Sequence, residues 1–226
     1  ATYAVGKLTD LTFEAEYISE LDQGFDFYAP QTFSGLENKE NTILLGWIGL
    51  PDLTYPTNQF KWHSTLTMPR EIQLKNNQLF QRPIKKIYEN MTALSFLTLK
   101  GKMEVEHLDR AYLKFDAQNR PFTLDFFSNK AKEKLSLSYE NDLICLDRYQ
   151  STQTELMIKF GSQRYCKLHE LHTIEIFFDR SIVEIFLNNG EKTMTSRFFI
   201  ADRENVIVTN RSLNIEIGFP KHIQYV

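Results

Sequence analysis

The chain has 226 residues, 42% hydrophobic and 24% charged, the balance of a soluble globular protein long enough for one large or two ordinary domains. Its formal net charge of -3, with lysines only in short stretches such as Lys85-Lys86 and Lys130 to Lys134, excludes a nucleic-acid surface. No run approaches the roughly 18 to 20 apolar residues of a membrane span, and two cysteines are too few for a disulfide framework.

In chain order, Leu11 to Tyr17 alternates apolar with polar and reads as a strand. A second strand is expected from Phe25 to Thr32, with Ala29 held extended by Pro30. Extension from Asp22 to Ala29 would put Asp22, Asp26 and Tyr28 on one face and Phe25, Phe27 and Ala29 on the other. That pattern fits either a substrate-facing strand or a rim strand with solvated or paired carboxylates. Thr42 to Ile48 is a continuous apolar run, expected of a strand buried on both faces, and Leu66 to Leu74 is a fourth strand. Trp47, flanked by Gly46 and Gly49, suits either a core position or stacking on a sugar's C–H face with its indole N–H donating. Leu50 to His63 carries Pro51 and Pro56 and reads as a loop, with Trp62 and His63 at a rim or in packing, and Arg70 and Glu71 are expected to pair or to face solvent.

Arg82-Pro83 followed by Ile84, Ile87, Tyr88 and Met91 predicts a short helix begun by Pro83. This marks the boundary between residues 1–82 and 93–226, with 83–92 as linker. Beyond it, strand-like runs recur at 93–99, 102–106, 111–115, 122–128, 134–139, 142–147, 173–178, 182–188, 193–199, 206–210 and 212–219. Many short strands, with an Asn189-Gly190 turn between two of them, predict an antiparallel β-sandwich. Glu175, Asp179 and Glu184 alternate with apolar residues and are expected on the outward face of their strands rather than as a catalytic pair. Cys145 reads as a small buried hydrophobe and Cys166 as a reduced thiol. His169 and His172 read as surface residues, so no metal or cofactor is expected.

Asp22 to Phe33, Gly46-Trp47 and Leu66 to Ile72 closely resemble glycoside hydrolase family 32, the invertases, sucrose-6-phosphate hydrolases and fructan hydrolases. Phe178 to Phe186 and Thr195-Ser196-Arg197 resemble that family's C-terminal domain, in the right order. The resemblance implies an all-β fold: the last blade of a five-bladed β-propeller, incomplete here, followed by a C-terminal antiparallel β-sandwich. It also implies that Asp22 neighbours the acid/base glutamate and tunes its pKa. Trp47 would stand at the substrate pocket, with Asp26 and Tyr28 as further candidates. Plant members often carry a basic residue where Phe25 stands, which leaves the leaving-group preference open.

The family's three catalytic carboxylates lie in an Asn-Asp-Pro stretch, an Arg-Asp-Pro stretch and a glutamate before a cysteine, and none of these occurs here. The expectation is therefore the C-terminal part of a retaining β-fructofuranosidase acting on sucrose 6-phosphate, sucrose or a related fructoside, cytoplasmic, with no catalytic residue in this chain and no activity of its own. The alternative is a carbohydrate-binding or oligomerisation module, self-associating through an open blade flank.

Overall fold

The computed structural model describes residues 1–34, 42–151 and 154–221. Strands β1 (Thr2–Thr9) and β2 (Thr12–Glu20) form a hairpin turned at Asp10 and Leu11. The run read from the sequence is β2; its partner β1 groups its apolar residues at Tyr3-Ala4-Val5 and so lacks the alternation that marks β2.

A second, five-stranded sheet contains β3 (Tyr28–Thr32), β4 (Thr42–Ile48), β5 (Thr65–Leu66), β6 (Arg70–Lys75) and β7 (Gln78–Pro83) in the order β3-β4-β6-β7, with β5 also paired to β4. The strand expected from Leu66 is split into β5 and β6 by Pro69, which cannot donate to the ladder. In β4 one face is buried at Leu44, Gly46 and Ile48 while the other is only half-buried, so the expectation of burial on both faces is corrected. The strand expected from Phe25 starts only at Tyr28. The expectation that Pro30 holds Ala29 extended is also corrected: Ala29 has φ of 42°, where the β3–β4 register shifts.

Helix α1 (Lys85–Glu89) follows β7, and Pro83 ends that strand rather than opening the helix. The remaining strands are β8 (Ser95–Leu99), β9 (Lys102–Glu104), β10 (Tyr112–Asp116), β11 (Phe122–Phe126), β12 (Leu135–Glu140), β13 (Leu143–Asp147), β14 (Gln163–Lys167), β15 (Thr173–Asp179), β16 (Ile182–Leu187), β17 (Lys192–Arg197), β18 (Val206–Thr209) and β19 (Leu213–Gly218), with α2 (Thr154–Phe160) between β13 and β14. They pair antiparallel into two six-stranded sheets, β17-β16-β15-β10-β19-β8 and β14-β13-β12-β11-β18-β9. This is the expected sandwich. Its main core lies between the sheets, with Leu113, Phe115, Ile174, Ile176, Val183 and Ile185 from one meeting Leu124, Phe126, Leu137, Ile144 and Ile207 from the other. The β16–β17 hairpin turns through Asn188, Asn189 and Gly190, all at positive φ.

The outer face of β15 to β17 is also buried. Glu175, Phe177, Glu184, Phe186, Thr193, Thr195 and Arg197 lie on it, and residues 21–27, the five-stranded sheet and α1 cover it. Glu175 and Glu184 are therefore outward on their strands, as expected, yet shielded from water; Asp179 is exposed. Cys145 is only half-buried, which corrects its reading as a buried hydrophobe, while Cys166 is a free thiol, as expected, and is buried because it faces the sandwich core. Among the described residues, no helix is long and apolar enough to cross a membrane.

Candidate functional site

Alternation along β4 turns Trp47 away from the buried side of its sheet, and the ladder sets Tyr28 directly opposite it. The Tyr28 and Trp47 rings lie 5.9 Å apart, and His63 stacks on the indole at 6.0 Å with a 29° interplanar angle. Tyr28 is 47% exposed. His63 Nε2 donates to the Leu53 carbonyl at 2.7 Å, which fixes its tautomer and ring orientation. Gly49 lets the end of β4 approach Ser64, since a Cβ there would lie 2.7 Å from the Ser64 Cβ. Trp47 Nε1 donates to Ser64 Oγ, so the indole N–H already has a protein partner, and with His63 stacked on the ring only the opposite face is left for a ligand. The result is a partly open aromatic platform, the chemistry that stacks against the C–H faces of a sugar ring.

Asp22 and Asp26 stand elsewhere. Residues 22–27 form no strand; they run along the edge strand β17, with Gln23 N–H donating to Thr193 O and Phe25 N–H to Thr195 O, both at 2.8 Å. The carboxylates complete this edge by accepting from β17 amides: Thr195 N–H to Asp22 Oδ1 and Arg197 N–H to Asp26 Oδ2, each at 2.8 Å. Gly24 is required for the approach, because a Cβ would fall 2.1 Å from Thr195 O. The expected division into a polar and an apolar face is thus corrected, and Asp22, Phe25, Asp26 and Phe27 are all buried. Phe25 is held under two guanidinium groups, those of Arg148 at 3.7 Å and Arg164 at 4.4 Å from its ring centroid. The structure therefore brings Tyr28 and Trp47 together, and sets Asp22 and Asp26 into the junction between the sheets.

Two arginine-centred networks fill that junction. Arg70 Nη1 donates to Asp22 Oδ2 at 3.0 Å and Arg70 Nη2 to Glu184 Oε2 at 2.7 Å, with Gln81, Thr193 and Thr195 completing the shell. Arg70 is fully buried, so it pairs as expected but does not face solvent. Burial opposes its charge, but Glu184 and Asp22 more than offset this and raise its pKa above that of a free guanidinium. Burial also raises the Glu184 pKa, despite Arg70. In the second network Asp26 accepts from Arg148 Nη1 at 2.9 Å and from the Tyr55 hydroxyl at 2.8 Å. Burial, and then the Asp26 charge, push the Tyr55 pKa up, while burial lowers those of Arg148 and Arg197. A third polar contact joins α1 to the sandwich: Glu175 Oε2 accepts from Tyr88 at 2.7 Å and Tyr112 at 3.0 Å.

Sequence reasoning missed Glu184, Tyr55, Arg148 and Arg197 as members of this junction. One signal pointed to it: β15 and β16 carry the runs Ile176-Phe177-Phe178 and Ile185-Phe186-Leu187, apolar on both faces and so in need of cover on both. Among the described residues no cluster of three or more His, Cys, Asp or Glu could hold a metal ion.

The fold is all-β, two six-stranded sheets beside a five-stranded sheet and a hairpin. It matches a solved sucrose-6-phosphate hydrolase from Lactobacillus gasseri with a TM-score of 0.83 at 24% identity, over 96% of this chain and 46% of that one. It matches a β-fructofuranosidase from Bombyx mori, solved with sucrose, with a TM-score of 0.76 at 22% identity, over 99% of this chain and 48% of that one. The chain belongs to glycoside hydrolase family 32: residues 1–83 match the model of the Glycosyl hydrolases family 32 N-terminal domain, and residues 76–217 match the family 32 C-terminal model. Among curated relatives, the sucrose-6-phosphate hydrolase of Streptococcus mutans is 32% identical over 86% of this chain, and that of Bacillus subtilis is 32% identical over 87%. The chain spans 40% and 42% of those proteins' lengths.

Proposed function

We propose that this chain is the C-terminal part of a retaining β-fructofuranosidase that hydrolyses sucrose 6-phosphate or sucrose. The observation that carries the reading is the pair of family matches in order, residues 1–83 and 76–217, in a chain spanning about two fifths of its curated relatives. The same matches favour a hydrolase over a module that only binds or assembles. On this reading residues 1–82 are the last blade of a five-bladed propeller, 83–92 a linker and 93–226 the accessory sandwich. The catalytic aspartate and glutamate would lie on a segment preceding Ala1, since none of their three sequence motifs occurs here.

In the intact enzyme the aspartate attacks the anomeric carbon of the fructosyl unit while the glutamate protonates the departing oxygen. Water activated by the same glutamate then cleaves the fructosyl ester, restoring both carboxyl groups and retaining configuration. Trp47 and Tyr28 would contribute a stacking surface, supported by their 5.9 Å pairing on the partly open face of β4. Asp22 and Asp26 would act through the frame, by fixing the segment that leads into Tyr28 against β17. If the substrate is the phosphorylated disaccharide, its charge would confine it and the reaction would be cytoplasmic. Exposed Leu8, Leu11, Phe13 and Ile18 on the β1–β2 hairpin would receive the rest of the propeller or, failing that, a second copy of the chain.

The reading frame upstream of Ala1 is the test. Asn-Asp-Pro and Arg-Asp-Pro codons there, with sucrose or sucrose 6-phosphate hydrolysis by the extended protein and none by the 226-residue chain, are the expected result. A start codon at that place, or an extended protein that hydrolyses neither sugar, would overturn it.

A further inference from the structure

A second cleft lies across the loop from the Trp47 platform. It has a volume of about 550 Å³ and is bounded by the Pro56–Phe60 turn and Trp62 on one side and by residues 198–203 on the other. Phe60 is 68% and Trp62 41% exposed, so two large aromatic rings are offered to solvent at one opening. Such rings bind the apolar faces of carbohydrates.

The opposite wall is cationic. Arg180 Nη1 and Arg203 Nη2 both donate to the single oxygen Asp109 Oδ2, at 2.8 and 3.1 Å. Two guanidinium groups thus share one carboxylate, leaving an excess of one positive charge at the cleft. Arg203 Nη1 also donates to Arg180 O at 2.6 Å, which holds its planar group in place. The Arg180 side chain is 71% exposed and keeps donors available. Burial lowers the Arg203 pKa, with Asp109 opposing and Arg180 adding to it, so a second anion would relieve the repulsion between the two arginines.

We propose that this cleft is a binding site for a small phosphorylated sugar, separate from the Trp47 platform: the phosphate bridges Arg180 and Arg203, and the sugar ring lies on Trp62. The choice of a phosphorylated over a neutral sugar rests on the reading that the intact enzyme handles phosphorylated fructosides. The position of the cleft suits a product or effector site. Arg197 lies 5.0 Å from the Trp62 ring centroid and 4.7 Å from that of Tyr55, and Tyr55 meets His63 edge-on at 5.1 Å, beside Trp47. A chain of packed aromatic rings with the Arg197 guanidinium between them therefore joins the two sites.

Calorimetric titration of the 226-residue chain with glucose 6-phosphate, glucose and inorganic phosphate tests this. The expected result is saturable binding of glucose 6-phosphate at least about tenfold tighter than either fragment alone, weakened about tenfold or more by Arg180→Gln and by Trp62→Leu. Arg180 is exposed, so its variant keeps the fold; unchanged far-ultraviolet circular dichroism checks both variants. No saturable binding by the folded chain, equal affinity for inorganic phosphate, or binding that neither variant weakens would overturn the site. Hydrolysis of sucrose 6-phosphate by the extended protein is measured separately, so loss of the cleft and loss of the proposed activity are told apart.

Discussion

Asp22 and Arg70 form an ion pair at 3.0 Å in which neither side chain is exposed to solvent, and Glu184 closes on the same guanidinium from the sandwich at 2.7 Å. A residue beside the N-terminal hairpin and one on β16 are thereby tied through a strand of the five-stranded sheet. Removing the cation leaves two carboxylates buried without their counter-charge. Arg70→Met is expected to destabilise the chain by about 3–5 kcal/mol, read as a lower urea midpoint at unchanged slope. A loss below about 1 kcal/mol would show that water enters the junction and that the pair is weak.

Gly24 meets the backbone of β17 so closely that a methyl group must displace one of them. Gly24→Ala is expected to cost about 1–3 kcal/mol and to speed hydrogen exchange at the amides of Thr195 and Arg197, which lose their carboxylate acceptors as the segment lifts. Unchanged protection at both amides would contradict the edge-pairing role of residues 22–26.

Alkaline pH should weaken the fold in a defined direction. Burial pushes the Cys166 thiol from its ordinary 9.0 up to about 12. Burial, and then the Glu175 charge, raise Tyr88 and Tyr112 above the ordinary 10.0. All three pKa values are raised on folding, so their stabilising contribution is complete below pH 9 and is lost as pH climbs. Unfolding free energy is expected to fall between pH 9 and 12, with the thiol alone accounting for a loss on the order of 4 kcal/mol. Cys166→Ala should flatten the earlier part of that decline, measured by urea titrations at a series of pH values; an unchanged slope would refute the assignment.

Tyr28 offers a direct probe of the platform because it is half-exposed and its removal opens no core cavity. In the extended, active protein, Tyr28→Ala is expected to raise KM about three- to tenfold, the equivalent of about 0.5–1.5 kcal/mol of ring contact, while moving Tm by no more than a few degrees. An unaltered KM with normal folding would remove Tyr28 from the substrate surface.

The sandwich was legible because its strands alternate cleanly and its turns carry strong signals, as at Asn188-Asn189-Gly190 before β17. Strand β14, Gln163–Lys167, escaped notice because only Cys166 is buried among mostly polar residues. Asp22, Asp26 and Glu184 illustrate a different limit. Local pattern distinguishes polar from apolar, but a buried acid and a solvated one look alike until the covering element is in place. Arg70 and Arg148, far away in sequence, decide that these acids are inside. The aromatic pair was partly readable: Trp47 was singled out between two glycines, whereas its stacking on His63 depends on how the loop after β4 folds back.

Release of glucose or glucose 6-phosphate from sucrose and sucrose 6-phosphate, assayed with 226-residue protein of verified intact mass, tests the central claim most directly. The account predicts no release by this chain and release by the protein extended upstream of Ala1. Turnover by the 226-residue chain alone would contradict it, because a catalytic carboxylate pair would then have to lie within this chain.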